Sequence, residues 1–256
     1  MTISLAVGAL LALVGASLAF AAKPVTVRQG NLKLKVNGNF FPQKLPKKKF
    51  AGVGLKVSSW VSTVDGTHPP ALKEFNVETD KNGYIDTTGY PKCKSGQLQA
   101  RTTDDALKVC KQALVGKGKT TVEVEFADQP PIDVNSELLV FNGGTKGGKT
   151  TLYVHAYFNA PITGAIVTTV KTKKIHKGPY GTLATSRIPE IGNGAGSVTF
   201  FTLTINKKFT YKGKKRSVLN ARCANGKLRA RGEATFYDDS TKIKNAEVLR
   251  PCTPKG

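Results

Sequence analysis

The sequence predicts an all-β fold: an antiparallel β-sandwich or jelly-roll-like barrel with one short helix, stapled by two disulfides. Three observations carry this. Apolar and polar residues alternate with period two along much of the chain, Asn-Gly, Asp-Gly and Lys-Gly turns separate the alternating runs, and four cysteines fall into two pairs close in sequence.

The elements follow in order. Asn31–Val36 opens the pattern, with Leu32, Leu34 and Val36 on one face. Val53–Val57 repeats it, and Leu72–Glu78 lies between the turns Asp65-Gly66 and Asn82-Gly83. Thr103–Leu114 reads as the helix: Thr103, Asp104 and Asp105 open it, Gly116 follows it, and Leu107, Cys110 and Leu114 share a face. Further strands are expected at Thr121–Phe126, Glu137–Phe141, Thr151–Phe158, Ala165–Ile175, Val198–Ile205, Ser217–Arg222, Lys227–Phe236 and Ala246–Leu249. No Pro- or Ser-rich linker divides them, so residues 22–256 read as one domain. Asp128-Gln129-Pro130-Pro131 is the best seam if there are two sandwiches.

Residues 1–21 read as a secretory signal peptide. No charged side chain precedes Lys23, Ile3–Phe20 is almost continuously apolar, and Ala19-Phe20-Ala21 is a small-x-small cleavage pattern. The departure is an n-region without Lys or Arg. Cleavage after Ala21 leaves no membrane span, and a secreted or cell-envelope location is expected. An even cysteine count then implies disulfides. Three connectivities are open; the local pairs Cys93–Cys110 and Cys223–Cys252 are favoured and would each stabilise the fold by about 3 kcal/mol. Without a CxxC pair the cysteines do not suggest a zinc or iron–sulfur site.

Three motifs suggest chemistry. Gly143-Gly144-Thr145-Lys146-Gly147-Gly148-Lys149-Thr150 matches a phosphate-binding loop, but an alternating, aromatic-rich strand follows instead of a helix. It reads as a hairpin turn. Glu78, Asp80, Asn82 and Asp86 have the early spacing of an EF-hand calcium loop. The bidentate acid of position 12 is replaced by Gly89, so this is a weak calcium candidate beside the plainer reading of a tight turn. Tyr153, His155 and Tyr157 share one face of a strand and could stack a ligand; the plainer reading is the half-buried outer face of a sheet. With three histidines and scattered acids, no catalytic constellation, cofactor or metal centre is expected.

The global signal is charge. The 256 residues carry 39 Lys+Arg against 17 Asp+Glu, a net +22. Such a surface attracts polyanions; Lys212, Lys214, Lys215, Arg216, Arg229 and Arg231 are the densest candidate contacts. Lysine supplies 31 of the basic residues. That argues against nucleic acid, whose recognition leans on planar arginine, and for an anionic envelope polymer or polysaccharide.

The runs Lys44-Leu45-Pro46-Lys47-Lys48-Lys49, His68-Pro69-Pro70-Ala71-Leu72-Lys73, Phe141-Asn142-Gly143-Gly144, Lys149-Thr150-Thr151-Leu152, Lys174-Ile175-His176, Tyr180-Gly181 and Tyr211-Lys212-Gly213-Lys214-Lys215-Arg216-Ser217 give the chain its family likeness. On them, most of the mature chain resembles a group of uncharacterised secreted proteins of actinobacteria. The resemblance implies export and a β fold, and no activity. The expectation is a secreted, non-enzymatic β protein that associates with anionic polymers. The rivals are a polysaccharide-active enzyme with a site hidden from sequence and a purely structural or adhesive surface protein.

Overall fold

The computed structural model describes residues 23–161 and 163–255; the expected signal peptide, residues 1–21, lies outside them. The strands are β1 (Val25–Gln29), β2 (Leu32–Phe41), β3 (Lys44–Pro46), β4 (Ala51–Thr63), β5 (Leu72–Asp80), β6 (Gly83–Ile85), β7 (Leu114–Val124), β8 (Ile132–Lys146) and β9 (Lys149–Phe158). They continue as β10 (Gly164–Lys177), β11 (Tyr180–Arg187), β12 (Gly196–Ile205), β13 (Lys208–Tyr211), β14 (Lys214–Ser217), β15 (Leu219–Ala221), β16 (Lys227–Phe236), β17 (Lys242–Pro251) and β18 (Thr253–Lys255). One helix, α1 (Thr103–Cys110), stands among them.

Twelve strands form one antiparallel path, β1-β2-β4-β12-β7-β8-β9-β10-β11-β5-β16-β17, which curls into a nearly closed barrel. The two ends of the path meet through side chains. Leu32, Phe236, Ile243 and Ala246 pack together there, with Val27, Leu34 and Val61 against them. Arg250 on β17 locks the same seam. It is 6% exposed and donates to the Gly38 carbonyl, the Leu249 carbonyl at 2.8 Å, Asn37 Oδ1 at 3.2 Å and the Lys23 carbonyl at 3.4 Å. Residues 125–131 form the loop of the β7–β8 hairpin, so the Pro130-Pro131 stretch joins neighbouring strands of one sheet.

Each strand alternates between the inner and outer faces, and the registers carry this from strand to strand. Val57 pairs with Gly38 and Leu203, Leu203 with Gly118, Gly118 with Leu138, and Leu138 with Ala156, all facing in. Lys35, Trp60 and Phe200 likewise line up facing out. The inner face is therefore a mix of aliphatic side chains and buried hydroxyls such as Ser59, Thr120 and Ser136, with small residues where strands approach most closely.

The lower end is plugged. Val218, fully buried, sits with Tyr90, Val115, Val140, Leu152 and Ile205, and Phe209 packs against them. This breaks the strand expected over Ser217–Arg222 into β14 and β15. Val218 leaves the ladder; its N–H donates to the Lys207 carbonyl and its carbonyl accepts from Asp86 N–H. Beside the plug the Cys223–Cys252 disulfide packs with Phe40, Leu45 and Val53. The upper end is crossed by two connections, 64–71 from β4 to β5 and 188–195 from β11 to β12, because neither pair of strands is adjacent in the ring. Tyr237 ties both: its N–H donates to the Ala71 carbonyl and its hydroxyl to the Ile188 carbonyl at 2.8 Å.

The helix is shorter than its sequence pattern suggests. Thr102 caps it, accepting from Asp105 N–H at 3.2 Å, and Ala106 and Cys110 face inward. It ends at Cys110, where the Cys93–Cys110 disulfide closes a 17-residue loop; Leu114 already belongs to β7. The helix lies on the outer face of β8 and β9, covering Leu139 and Phe141.

Candidate functional site

Four neighbouring strands, β2, β4, β12 and β7, share an outer face. On β4 the inward turn of Val57, Ser59 and Val61 forces Lys56, Ser58 and Trp60 outward. Trp60 is the single tryptophan of the chain and is 37% exposed. Its ring lies 5.4 Å from that of Phe200, its register partner on β12, and Lys35 Nζ lies 5.2 Å from the Trp60 ring. Lys56, Lys117 and Lys119 stand exposed on the same face, and hydroxyls fill the spaces between them. Ser58 Oγ donates to Thr202 Oγ1 at 3.1 Å, which donates to the Val57 carbonyl at 3.2 Å. Glu137 stands opposite Lys119 in the register without forming an ion pair. The arrangement offers a pair of aromatic rings tilted 41° to each other, fixed hydroxyls and lysines without ion-pair partners on one outer face.

The distribution of charge reinforces this. Among the described residues three lysines pair with a carboxylate: Lys73 with Asp239, Lys108 with Asp105 and Lys177 with Glu78. Arginine does the structural pairing. Arg216 meets Asp86 at 2.8 Å, Arg229 meets Asp80 at 3.6 Å, and Arg231 meets Glu78. The expected polyanion contacts thus divide. Lys212, Lys214 and Lys215 project from the β13–β14 hairpin, whereas Arg216, Arg229 and Arg231 are held by acids.

The same pairs account for the calcium-like spacing. Burial raises the Glu78 carboxyl, but hydrogen bonds from Arg231 and Lys177 outweigh it and leave it below its ordinary range. Asp80 is buried and accepts from Asn82 N–H and Nδ2, both at 2.9 Å; Asn82 Oδ1 accepts from Arg222 Nε at 2.9 Å. Each of the four candidate ligands is engaged by an arginine, and no cluster of three potential metal ligands occurs among the described residues.

Tyr153, His155 and Tyr157 do lie on one outer face, but that face is covered. His155 is fully buried and Nε2 donates to the Arg101 carbonyl at 2.9 Å, just before α1. Burial lowers its pKa, opposed by that hydrogen bond. Tyr153 packs against the Cys93–Cys110 cluster and Tyr157 is half-buried, so the three form no open stacking platform. The Gly-rich run closes the β8–β9 hairpin, Lys146 opposite Lys149 with Gly147 and Gly148 at the turn, and no helix follows to face a phosphate.

Sequence reasoning missed Trp60 and Phe200. The signal available was a lone Trp on the Lys56–Ser58 parity of an alternating strand; the partnership with Phe200 needs the β4–β12 register. Comparison with protein-family models, curated proteins and solved structures gave no match.

Proposed function

We propose that the protein is a secreted, non-enzymatic binding module that holds an anionic polysaccharide of the cell envelope or its surroundings. The observation that carries this is the exposed Trp60–Phe200 pair set among Lys35, Lys56, Lys117 and Lys119, none of them paired with a carboxylate. Sugar rings present C–H faces to an aromatic plate, and their acidic groups meet ammonium charges that make few geometric demands. The free lysines of the β13–β14 hairpin add to the field. Two disulfides suit the oxidising compartment this role needs.

The test is binding to an acidic polysaccharide such as alginate across a salt series. Affinity should fall steeply as the Debye length shrinks from about 30 Å at 0.01 M to about 8 Å at physiological ionic strength. Trp60→Ala should weaken the acidic polysaccharide more than it weakens polyphosphate, which has no ring to stack. Equal losses for both polymers, or tighter binding of single-stranded DNA than of alginate, would overturn the polysaccharide reading.

One observation favours a polysaccharide-active enzyme instead. His68 Nδ1 lies 2.7 Å from Glu123 Oε1, and His68 borders a polar cleft of about 570 Å³ at the upper end, with its buried Nε2 unpartnered. Release of reducing ends from a polysaccharide, abolished by His68→Ala, would move the assignment there.

A further inference from the structure

We propose that the Trp60 site continues down the outer face of β4 to a second aromatic platform, made by Phe41, Phe50 and Tyr84, and that the ligand is a linear acidic polysaccharide long enough to lie across both. This extension rests on the polysaccharide reading of the Trp60 face and gives its ligand a length and a direction. The starting point is exposure. Among the described residues four large aromatic side chains stand well exposed: Trp60 at 37%, Phe41 at 39%, Tyr84 at 40% and Phe50 at 41%. All four lie along β4 or beside it, and none belongs to a packed apolar cluster. Exposed apolar groups gathered on one strip mark a binding surface.

The strand parity that turns Trp60 outward also turns out Ser58, Lys56, Gly54 and Gly52. The two glycines sit where neighbouring side chains need room. Phe41 on β2 is the register partner of Gly54 and its ring lies across it, so that a Cβ at Gly54 would overlap the ring. Gly52 shares a row with Asn220 on β15 and Tyr84 on β6. Tyr84 meets Phe50 edge to face, with centroids 4.9 Å apart and planes at 82°. Arg222 Cζ lies 4.9 Å from the Phe50 ring, and Asn82 Oδ1 holds that guanidinium at 2.9 Å, which fixes the ring in place. From Trp60 to Gly54 the strand rises roughly 20 Å at about 3.3 Å per residue, a span that calls for a chain of several sugar rings.

Charge sets the direction. Between the platforms Lys56 stands with Asn39 and Thr204 on either side of it, and Lys117 follows Thr204 in the register. Lys47, Lys48 and Lys49 stand exposed just ahead of Phe50. None of these lysines is paired with a carboxylate, whereas Asp86, two residues from Tyr84, is held by Arg216 at 2.8 Å. Above Trp60 the sign reverses. Glu123 and Glu125 lie at the top of β7, and the 64–71 connection is pinned there by His68 on Glu123 at 2.7 Å and by Ser197 Oγ donating to the Pro69 carbonyl. An anionic chain seated on Trp60 meets acids above and lysines below, so it runs down β4 towards Phe41. The free cations of the strip are lysines and the arginines near its lower end are committed to Asn82 and Asp86, which favours a polysaccharide over single-stranded nucleic acid.

The test titrates the full chain with alginate oligomers of increasing length. Affinity should rise with length until the oligomer spans both platforms and then level off. Replacing Phe41 and Phe50 together by leucine keeps apolar cover and removes the rings; it should cost the long oligomers about tenfold, which is about 1.4 kcal/mol. Hydroxyl-radical footprinting of the wild type needs no variant and decides alone if the leucine variant does not fold. A long oligomer should shield Phe41, Phe50 and Tyr84 together with Trp60. Affinity that does not grow with length, or a long oligomer that shields Trp60 and leaves Phe41, Phe50 and Tyr84 open, overturns the extension and leaves the Trp60 site standing. Wild-type protein that binds no alginate, or binds single-stranded DNA more tightly along the same strip, overturns both.

Discussion

Removing the guanidinium of Arg250 should open the barrel at its seam. This side chain is buried, has no carboxylate partner, and reaches from β17 to acceptors on β2 and near β1. Two effects oppose each other. Burying a lone charge costs several kcal/mol, and that burial lowers the Arg250 pKa. Against it stand two firm charge-assisted hydrogen bonds, to the Gly38 and Leu249 carbonyls, worth about 1.5–3 kcal/mol each, and two longer ones. Arg250→Ala recovers the desolvation but leaves these carbonyls and Asn37 unsatisfied, and it opens a cavity against the seam cluster. The orphaned acceptors should win, with a net loss of about 2–4 kcal/mol. For a chain of this size that lowers Tm by roughly 5–15 °C. Arg250→Lys should recover little, because a compact ammonium cannot reach the acceptors that the planar fork spans. Thermal unfolding followed by circular dichroism gives the first number, and amide hydrogen exchange locates it. Protection should fall in β1, β2 and β17 before it falls in β8 and β9. A variant as stable as the wild type, or one whose exchange rises evenly around the ring, would refute the seam argument.

Two further outcomes follow from single residues. The pKa of His155 is lowered in the fold, so the unfolded chain binds more protons. Its contribution is therefore present above the ordinary histidine value of about 6.5 and declines as pH falls below it; His155→Gln should flatten Tm against pH below about 6.5, and an unchanged slope would clear His155 of the effect. Gly118→Ala should cost about 3 kcal/mol or more, because its Cβ would stand 1.8 Å from the Thr202 carbonyl oxygen on β12, whereas Gly232→Ala, whose nearest neighbour is Ala246 O at 3.9 Å, should stay within about 1 kcal/mol of wild type; similar losses in urea titrations would show that strand approach is not the cause.

The parts of the fold that were legible in sequence are those where one face is packed. Leu32-Lys33-Leu34-Lys35-Val36 and Lys227–Phe236 announced their strands because their apolar residues meet others inside. The strand β11, Tyr180-Gly181-Thr182-Leu183-Ala184-Thr185-Ser186-Arg187, was missed for the opposite reason. Its inward residues Thr182, Ala184 and Ser186 are small or hydroxylic, so no period-two hydrophobicity marks the strand. Both disulfides could be read because their partners are close in sequence and one flanks a helix. The outer aromatic plate could not, since Trp60 and Phe200 meet through a ladder between strands far apart in the chain. Nor could the pairing of Glu78 with Arg231, 153 residues away, which turned two separate candidate sites into one ion pair.

The meeting of β17 with β1 and β2 also sets when this molecule can become native. Arg250 bonds to residues 212 and 227 positions earlier, so the ring closes only after nearly the whole chain is present. A chain that is made N-terminus first must wait with the free edge of β1 exposed until β17 arrives. Contacts of such sequence separation make for slow folding, and the open intermediate presents an unpaired strand edge beside an apolar inner face. The exposed lysines along β2 and β17, Lys35, Lys242 and Lys244 among them, then act before the native state exists. Repulsion between like-charged edges keeps two waiting chains from pairing with each other instead of closing on themselves.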